Sequence, residues 1–496
     1  MKIRDCTFTL LLALMFIAVA ALPSLAQELT QEQVDPGKED VPALDEEAAP
    51  SPDGGIEVPK EQQPIVSVPE APPPEEEGAP PEPKYGDKPF SFQLGGVTFT
   101  PFLQARFRQE TRLNPYGPVG QTFDSAHFVT TRVRFGLTAE WKFIRAMMQI
   151  QDVRLFGSFP GIDDGSAFAL HQGIIEIGDQ RGYIRVGRQE INYGNQRMIG
   201  ALDWLMSARS FDAIRMHAFF GDNIELDFFG SMLSRQQAIL DDSVDPPETF
   251  TNNGSYLATT NLSVRRSEAL YLEAYVLYRH DRPVNVATLA RKNDIASPGI
   301  YLTGVPVAGL KYTGEFTIQG GRSANSTFFA FAVSGDLDYT FQKPSWKPVV
   351  NGGFAYATGA SNNGKVDEFN NFFPTNHKFY GWADLIGLRN LIEGHLHFSV
   401  KAPKRPVSAR LGLYNLALAN PSARWSNVAG VTFGLNPDNT VRNLGQEVDL
   451  IFKWSFLPGV SLAGGWTVFV PNQGARNLGN GDVQQWGFLM LSAQTP

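Results

Sequence analysis

The sequence predicts an all-β protein: a transmembrane antiparallel β-barrel of 16–18 strands, preceded by a disordered Pro/Glu-rich segment. Three observations predict it. Apolar and polar residues alternate over long stretches. In "HFVTTRVRFGLTAEW", His127 to Trp141, Val129, Val133, Phe135 and Leu137 share one face, and Thr130, Arg132, Arg134 and Thr138 share the other. A period of two is the mark of a strand with unlike faces. The chain also opens on a secretory leader. Beyond residue 26, no apolar run approaches the ~18 residues that a membrane helix needs. Backbone groups in lipid must pair internally, so a membrane chain without such helices has to close into a barrel. The apolar strand face then meets lipid, and the arginines face a lumen.

The elements follow in chain order. Lys2 and Arg4 form a basic start, and "TFTLLLALMFIAVAALPSLAQ" ends in a Ser24-Leu25-Ala26 site suited to cleavage before Gln27. Residues 1–26 therefore read as a signal peptide. Cys6 is the sole cysteine, so the mature chain is expected to have neither disulfides nor thiolate metal sites. Residues 27–88 hold 13 prolines, 17 Asp/Glu and four lysines, with "EAPPPEEEGAPPEPK" typical. Such a segment buries too little apolar surface to offset chain entropy. It is expected as a disordered, partly polyproline-II periplasmic segment, acting as a solubilising tail or a docking arm. It contributes −13 to a chain whose total is −9, and the leader contributes +1, which leaves +3 for residues 89–496. The folded part is thus slightly basic although the whole chain is acidic.

From Phe90 onward the pattern is strand, turn, strand. "FLQARFRQETRL" sets Leu103, Ala105 and Phe107 against Arg106, Arg108, Glu110 and Arg112. "IRAMMQIQDVRLFG" alternates less cleanly. "RSFDAIRMHAFFG" and "DNIELDFFGSML" flank a tight "GDN" turn and predict a hairpin, with Arg215 and His217 on its polar face beside Glu225 and Asp227. Short turns alternate with long polar connections, and Trp141, Tyr183, Tyr278, Trp346, Trp382, Trp454 and Trp486 are read as strand-end aromatics. Both traits belong to outer-membrane barrels. A β-sandwich does not use some 400 residues in one block of hairpins. A plugged receptor would need room for a globular plug beside a larger barrel. The last strand, "WGFLMLSAQTP", departs from the aromatic ending usual in such barrels.

Three blocks resemble the alginate export family of outer-membrane barrels. They are "YIRVGRQEINYGNQRMIGALDWLMSARSFDAIRM" (Tyr183 to Met216), "DEFNNFFPTNHKFYGWADLIGLRNL" (Asp367 to Leu391) and "LGQEVDLIFKWSFLPGVSLAGGWTVFVP" (Leu444 to Pro471). Their order and spacing agree as well, and the resemblance covers about residues 90–496. It implies a monomeric 18-stranded barrel with an arginine-rich, electropositive lumen. It also implies export of an anionic polysaccharide, alginate or a similar polymer, or passage of other anionic solutes.

Such transport needs cations inside the lumen, and guanidinium forks bind carboxylates bidentately. The candidate cargo-binding residues are Arg106, Arg108, Arg132, Arg134, Arg185, Arg188, Arg197 and Arg215, with Arg145 and Arg209 beside them. Glu110, Glu140, Asp152, Glu176, Glu190 and Asp212 are available to pair with them structurally. Arg188 shares parity with Val186, whose face belongs to lipid, so it is expected either to lie beyond the membrane zone or to be turned inward by a bulge. "FFPTNHKFYGWADL" reads chiefly as a loop held by Phe372, Phe373 and Tyr380, and alternatively as a pore loop bringing His377 and Lys378 to cargo. His395 and His397 share a strand face, but no third metal ligand is evident nearby. No catalytic motif, cofactor site or nucleic-acid-binding pattern is present. The expected partners are anionic polysaccharide or small anions, outer-membrane lipid and periplasmic secretion components. The competing functions are a general diffusion porin for small solutes and, from another class, a secreted polysaccharide-binding protein or a barrel enzyme.

Overall fold

The computed structural model describes residues 90–495 except 120–122, 124, 159–166, 180, 222, 235–236, 242–247, 253, 282–292, 324–325, 362–363, 376 and 404. The expected signal peptide with Cys6 and the Pro/Glu-rich segment lie outside the described residues. The strands are β1 (Phe92–Leu94), β2 (Val97–Leu113), β3 (Ser125–Trp141), β4 (Ile144–Ser158), β5 (Ala167–Asp179), β6 (Gly182–Gln189), β7 (Phe211–Phe220), β8 (Ile224–Ser234), β9 (Gln237–Asp241), β10 (Glu248–Asn252), β11 (Ser255–Ser267) and β12 (Leu270–Asp281). They continue as β13 (Asn293–Val307), β14 (Leu310–Ser323), β15 (Ser326–Thr340), β16 (Val349–Ala357), β17 (Leu391–Lys401), β18 (Val407–Leu418), β19 (Trp425–Ser426), β20 (Thr432–Gly434), β21 (Asn443–Leu457), β22 (Val460–Pro471) and β23 (Gln484–Gln494), with one short helix, α1 (Gln473–Asn477). No helix among the described residues is long and apolar enough to cross a membrane.

Eighteen strands form the wall: β2–β8, β11–β18 and β21–β23, each antiparallel to its neighbours. β23 returns to β2, from Gln104 opposite Gln494 to Leu113 opposite Gln485, and closes the barrel without a free edge. The remaining strands are short additions: β1 extends β2, β9 pairs β10, and β19 pairs β20.

The alternation settles which face meets what. On β3, Val133 and Phe135 are 46% and 47% exposed, whereas Arg132 and Arg134 are 5% and 3% exposed. Large apolar side chains are exposed around the circumference, including Ile175, Ile214, Phe316, Leu396, Leu450 and Leu489. An exposed apolar surface of this extent belongs against lipid. β4 keeps its period of two, with Gln149, Gln151 and Val153 buried and Met148 and Phe156 exposed; the pattern reads weakly because apolar Val153 faces inward while Arg154, with a side chain 51% exposed, faces outward. The β4–β5 register shifts between Gln149, which faces Gln172, and Ile150, which faces Leu170, because His171 is an extra residue on β5.

One barrel end carries turns of two or three residues, between β3 and β4, β7 and β8, β11 and β12, and β21 and β22. Trp141, Trp346 and Trp454 are exposed at this end, as an interfacial belt requires. Trp382 and Trp486, read from sequence as strand-end aromatics, belong elsewhere: Trp382 lies in the β16–β17 connection, and both are fully buried inside the barrel. At the other end, two long connections fold inward, 190–210 (the β6–β7 loop) and 358–390 (the β16–β17 loop), and touch through an Ile199–Phe373 bridge.

Candidate functional site in the lumen

Strand parity places Arg106 and Arg132 inward and directly opposite each other on β2 and β3. Two like charges so placed repel. The β6–β7 loop answers that charge. Asp203 receives hydrogen bonds from Arg132 at 2.9 Å and Arg134 at 2.8 Å, and Arg106 approaches it to 3.9 Å. Backbone carbonyls complete the clamp: Arg106 donates to Asp203, Trp204 and Leu205, Arg108 to Trp204, and Arg132 to Asp203. Arg108 also lies over the Trp204 ring at 4.1 Å and pairs with buried Glu110 at 2.7 Å. Burial alone would raise the Asp203 carboxyl, but Arg132, Arg134 and Arg106 outweigh it and hold the carboxyl below its ordinary range. Counting Arg112 and Glu190, five guanidinium groups face three carboxylates on this wall. The wall is basic, and it already binds a carboxylate.

The other candidates are distributed differently. Arg185 faces inward, pairs with Glu176 at 2.7 Å and stacks on Tyr183. Arg215 and His217 share Asp227, at 2.6 and 2.8 Å. Arg197, in the β6–β7 loop, reaches across the lumen to Asp336 on β15 at 3.0 Å and to the Tyr380 hydroxyl at 3.0 Å. Arg209 donates to the carbonyl of Gly200 at 2.9 Å and to that of Pro374, tying the two loops together. Arg145 pairs with Glu140 at 3.6 Å.

Arg188 corrects the reading of the candidates as one lumen set. Its side chain is 40% exposed and pairs at 3.1 Å with Asp212, 66% exposed, on the outward face shared with Val186 and Ile214. β6 runs in unbroken register with both neighbours, so no bulge turns Arg188 inward. The glycine before it has a steric reason. Gly187 has φ +123°, and a Cβ there would stand 2.1 Å from the Gly173 carbonyl oxygen. A second correction concerns accessibility. Arg108, Arg132 and Arg134 are buried beneath the β6–β7 loop and Arg197 is buried within it, so in this arrangement they are engaged by protein groups instead of presenting free forks to the lumen.

The β16–β17 loop is held by the opposite chemistry, which sequence reasoning missed. Carboxylates on β21 accept from its backbone: Glu447 from the Ala383 N–H at 2.9 Å and Asp449 from the Trp382 N–H at 3.1 Å. Gly381 has φ +96°, and a Cβ there would meet Glu447 Oε1 at 2.3 Å. Trp382 then packs edge-on to Trp204 at 5.7 Å, over Trp486 and Phe488 from β23. His377 stacks on Trp382 at 4.7 Å and is fully buried, and its ring faces Asp384 at 3.2 Å. Burial, with Arg112 and Arg108 nearby, lowers the His377 pKa, and burial raises that of Asp384, so both shifts oppose charge on the pair. Lys378 lies over Phe379. His395 bonds Glu393 at 2.7 Å, approaches Asp336 at 3.2 Å and stacks on His397. Inward Glu273, Glu315, Asp336 and Glu393 make the wall opposite β2–β3 acidic.

The comparisons agree with this architecture. A family model described as alginate export matches residues 102–482. Among solved structures, Pseudomonas aeruginosa OpdQ is similar with a TM-score of 0.54 and 10% identity, over 80% of this chain and 97% of that one. Pseudomonas aeruginosa OccK2 (OpdF) gives 0.54 and 11% over the same shares, and Acinetobacter baumannii OccAB4 gives 0.53 and 9% over 79% and 97%. At these identities the structural likeness concerns the fold. No curated protein matches the sequence.

Proposed function

The chain belongs to the alginate export family, and from that premise we propose that it is an outer-membrane channel carrying anionic polysaccharide, alginate or a polymer of similar chemistry, across the membrane. The observation that carries the proposal is the β2–β3 arginine wall with the Asp203 carboxylate seated in it. A uronate presents the same group, and guanidinium forks retain their charge at any working pH. Arg106, Arg108, Arg132 and Arg134 are proposed as cargo-facing residues once the β6–β7 loop moves, with Arg185, Arg197 and Arg215 lining the path beyond. Exchange among several weak sites keeps a polymer moving. The short-turn end is proposed to face the periplasm, as in barrels of this kind, with the Pro/Glu-rich segment and any secretion partners on that side. The apolar outer face around the circumference supports a monomer.

A second reading, passage of small anions, is favoured by one observation: the β6–β7 loop packs against the arginine wall and against the β16–β17 loop. Purified protein in planar bilayers distinguishes the two. Uronate oligomers added to one side interrupt the current for times that lengthen with oligomer length if the polymer reading holds. High conductance without interruption at any length contradicts it and leaves the diffusion pore.

A further inference from the structure

We propose that the acidic segment immediately before the barrel, residues 62–88, docks on the short-turn rim of its own barrel. The lumen arginines discussed above all have partners, but the rim is different. Lys142, Arg181, Arg265, Lys343, Lys347 and Arg405 are exposed in or beside the connections at this end. Among the described residues none of the six makes an ion pair. Lys142 and Arg265 lie over the rings of Trp141 and Tyr271. The exposed carboxylates at this end, among the described residues, are Asp179, Glu225 and Glu268. The rim is therefore a cationic ring with a surplus of charge.

The chain supplies the complementary charge at the right place. β1 and the start of β2 lie at this same end, because β23 runs toward it and Gln494 faces Gln104. Residues 62–88 carry six carboxylates against two lysines, with Glu75, Glu76 and Glu77 consecutive. Glu77 precedes Phe90 by 13 residues, a reach of at most about 47 Å at ~3.6 Å per residue. An 18-stranded wall with strands ~4.8 Å apart and tilted about 40° has a mouth roughly 35 Å across. The acidic run therefore reaches any turn of the rim. The tether adds a high effective concentration, so that individually weak surface pairs act together. This docking does not depend on which solute passes the lumen.

The test uses the full chain, cysteine-free after the expected cleavage, with Gly78→Cys and Ser345→Cys. The first lies beside the glutamate run and the second between Lys343 and Lys347. A short bis-maleimide joins them, and the rate of joining is measured on the folded barrel. Docking predicts a rate that falls roughly tenfold when Glu75, Glu76 and Glu77 are changed to lysine. It also predicts a comparable loss at about 1 M salt, where charges are screened within ~3 Å. These substitutions lie outside the barrel, and unchanged heat-modifiable migration confirms that the barrel is intact. A rate indifferent to both charge reversal and salt reflects the tether alone and overturns the proposal.

Discussion

Asp203 is one carboxylate among Arg106, Arg132 and Arg134, and its removal unmasks the charge it neutralises. A unit charge about 4 Å away is worth ~1 kcal/mol even in water, so Asp203→Asn is expected to raise the anion-to-cation permeability ratio roughly fivefold. Reversal potentials of the variant and parent in one salt gradient check this, and an unchanged ratio contradicts it. The pH dependence has a definite sign. The Asp203 pKa is depressed in the folded state, so its contribution is complete above the unfolded value of ~3.9 and is lost as pH falls through the lower folded value. Tryptophan emission from the loop should hold steady from neutral pH to about pH 5 and shift only below the ordinary carboxylate range. A transition near pH 6 would point to a different clamp. The arginines were legible because parity on β2 and β3 points them inward. Asp203 was not, since Arg132 meets it across a separation of 71 residues, which no local period reveals. The available signal was a single charge within the apolar run "GALDWLM".

At the scale of elements, the two inward loops are held by complementary means. The β6–β7 loop offers carbonyls to arginines, and the β16–β17 loop offers N–H groups to Glu447 and Asp449. Trp204 is the joint, packed on Trp382, Trp486 and Phe488. Trp204→Ala is expected to cost about 3–5 kcal/mol, as for other large aromatics removed from a packed site. Faster cleavage of the β6–β7 loop by added protease in the folded protein would register the loosening. Strand faces offer an independent check. Phe135→Arg puts a charge on the lipid face of β3 and should destabilise folding into bilayers by ~2–4 kcal/mol, read from urea titration. A neutral result would mean that this face does not meet hydrocarbon. Face assignment was legible from period two alone. The inward course of Trp486 and Phe488 was not, because an aromatic at alternate positions fits a lipid face as well as a packed lumen. Only the Trp204 and Trp382 rings of the two loops decide between them.

For the whole molecule, the lumen is polarised, with arginines on β2 and β3 and carboxylates on β12, β14, β15 and β17 across from them. The sequence shows the arginine half, because its cations cluster in consecutive strands. It hides the acidic half, because Glu273, Glu315, Asp336 and Glu393 lie singly on four strands between β12 and β17. We propose that the positive wall, with more guanidinium than carboxylate groups, is what makes this channel one for anions. The ion preference of the reconstituted full-length protein in a salt gradient tests that most directly. A reversal potential showing preference for the anion, strengthened in Asp203→Asn, is the result predicted. A preference for the cation would contradict the account.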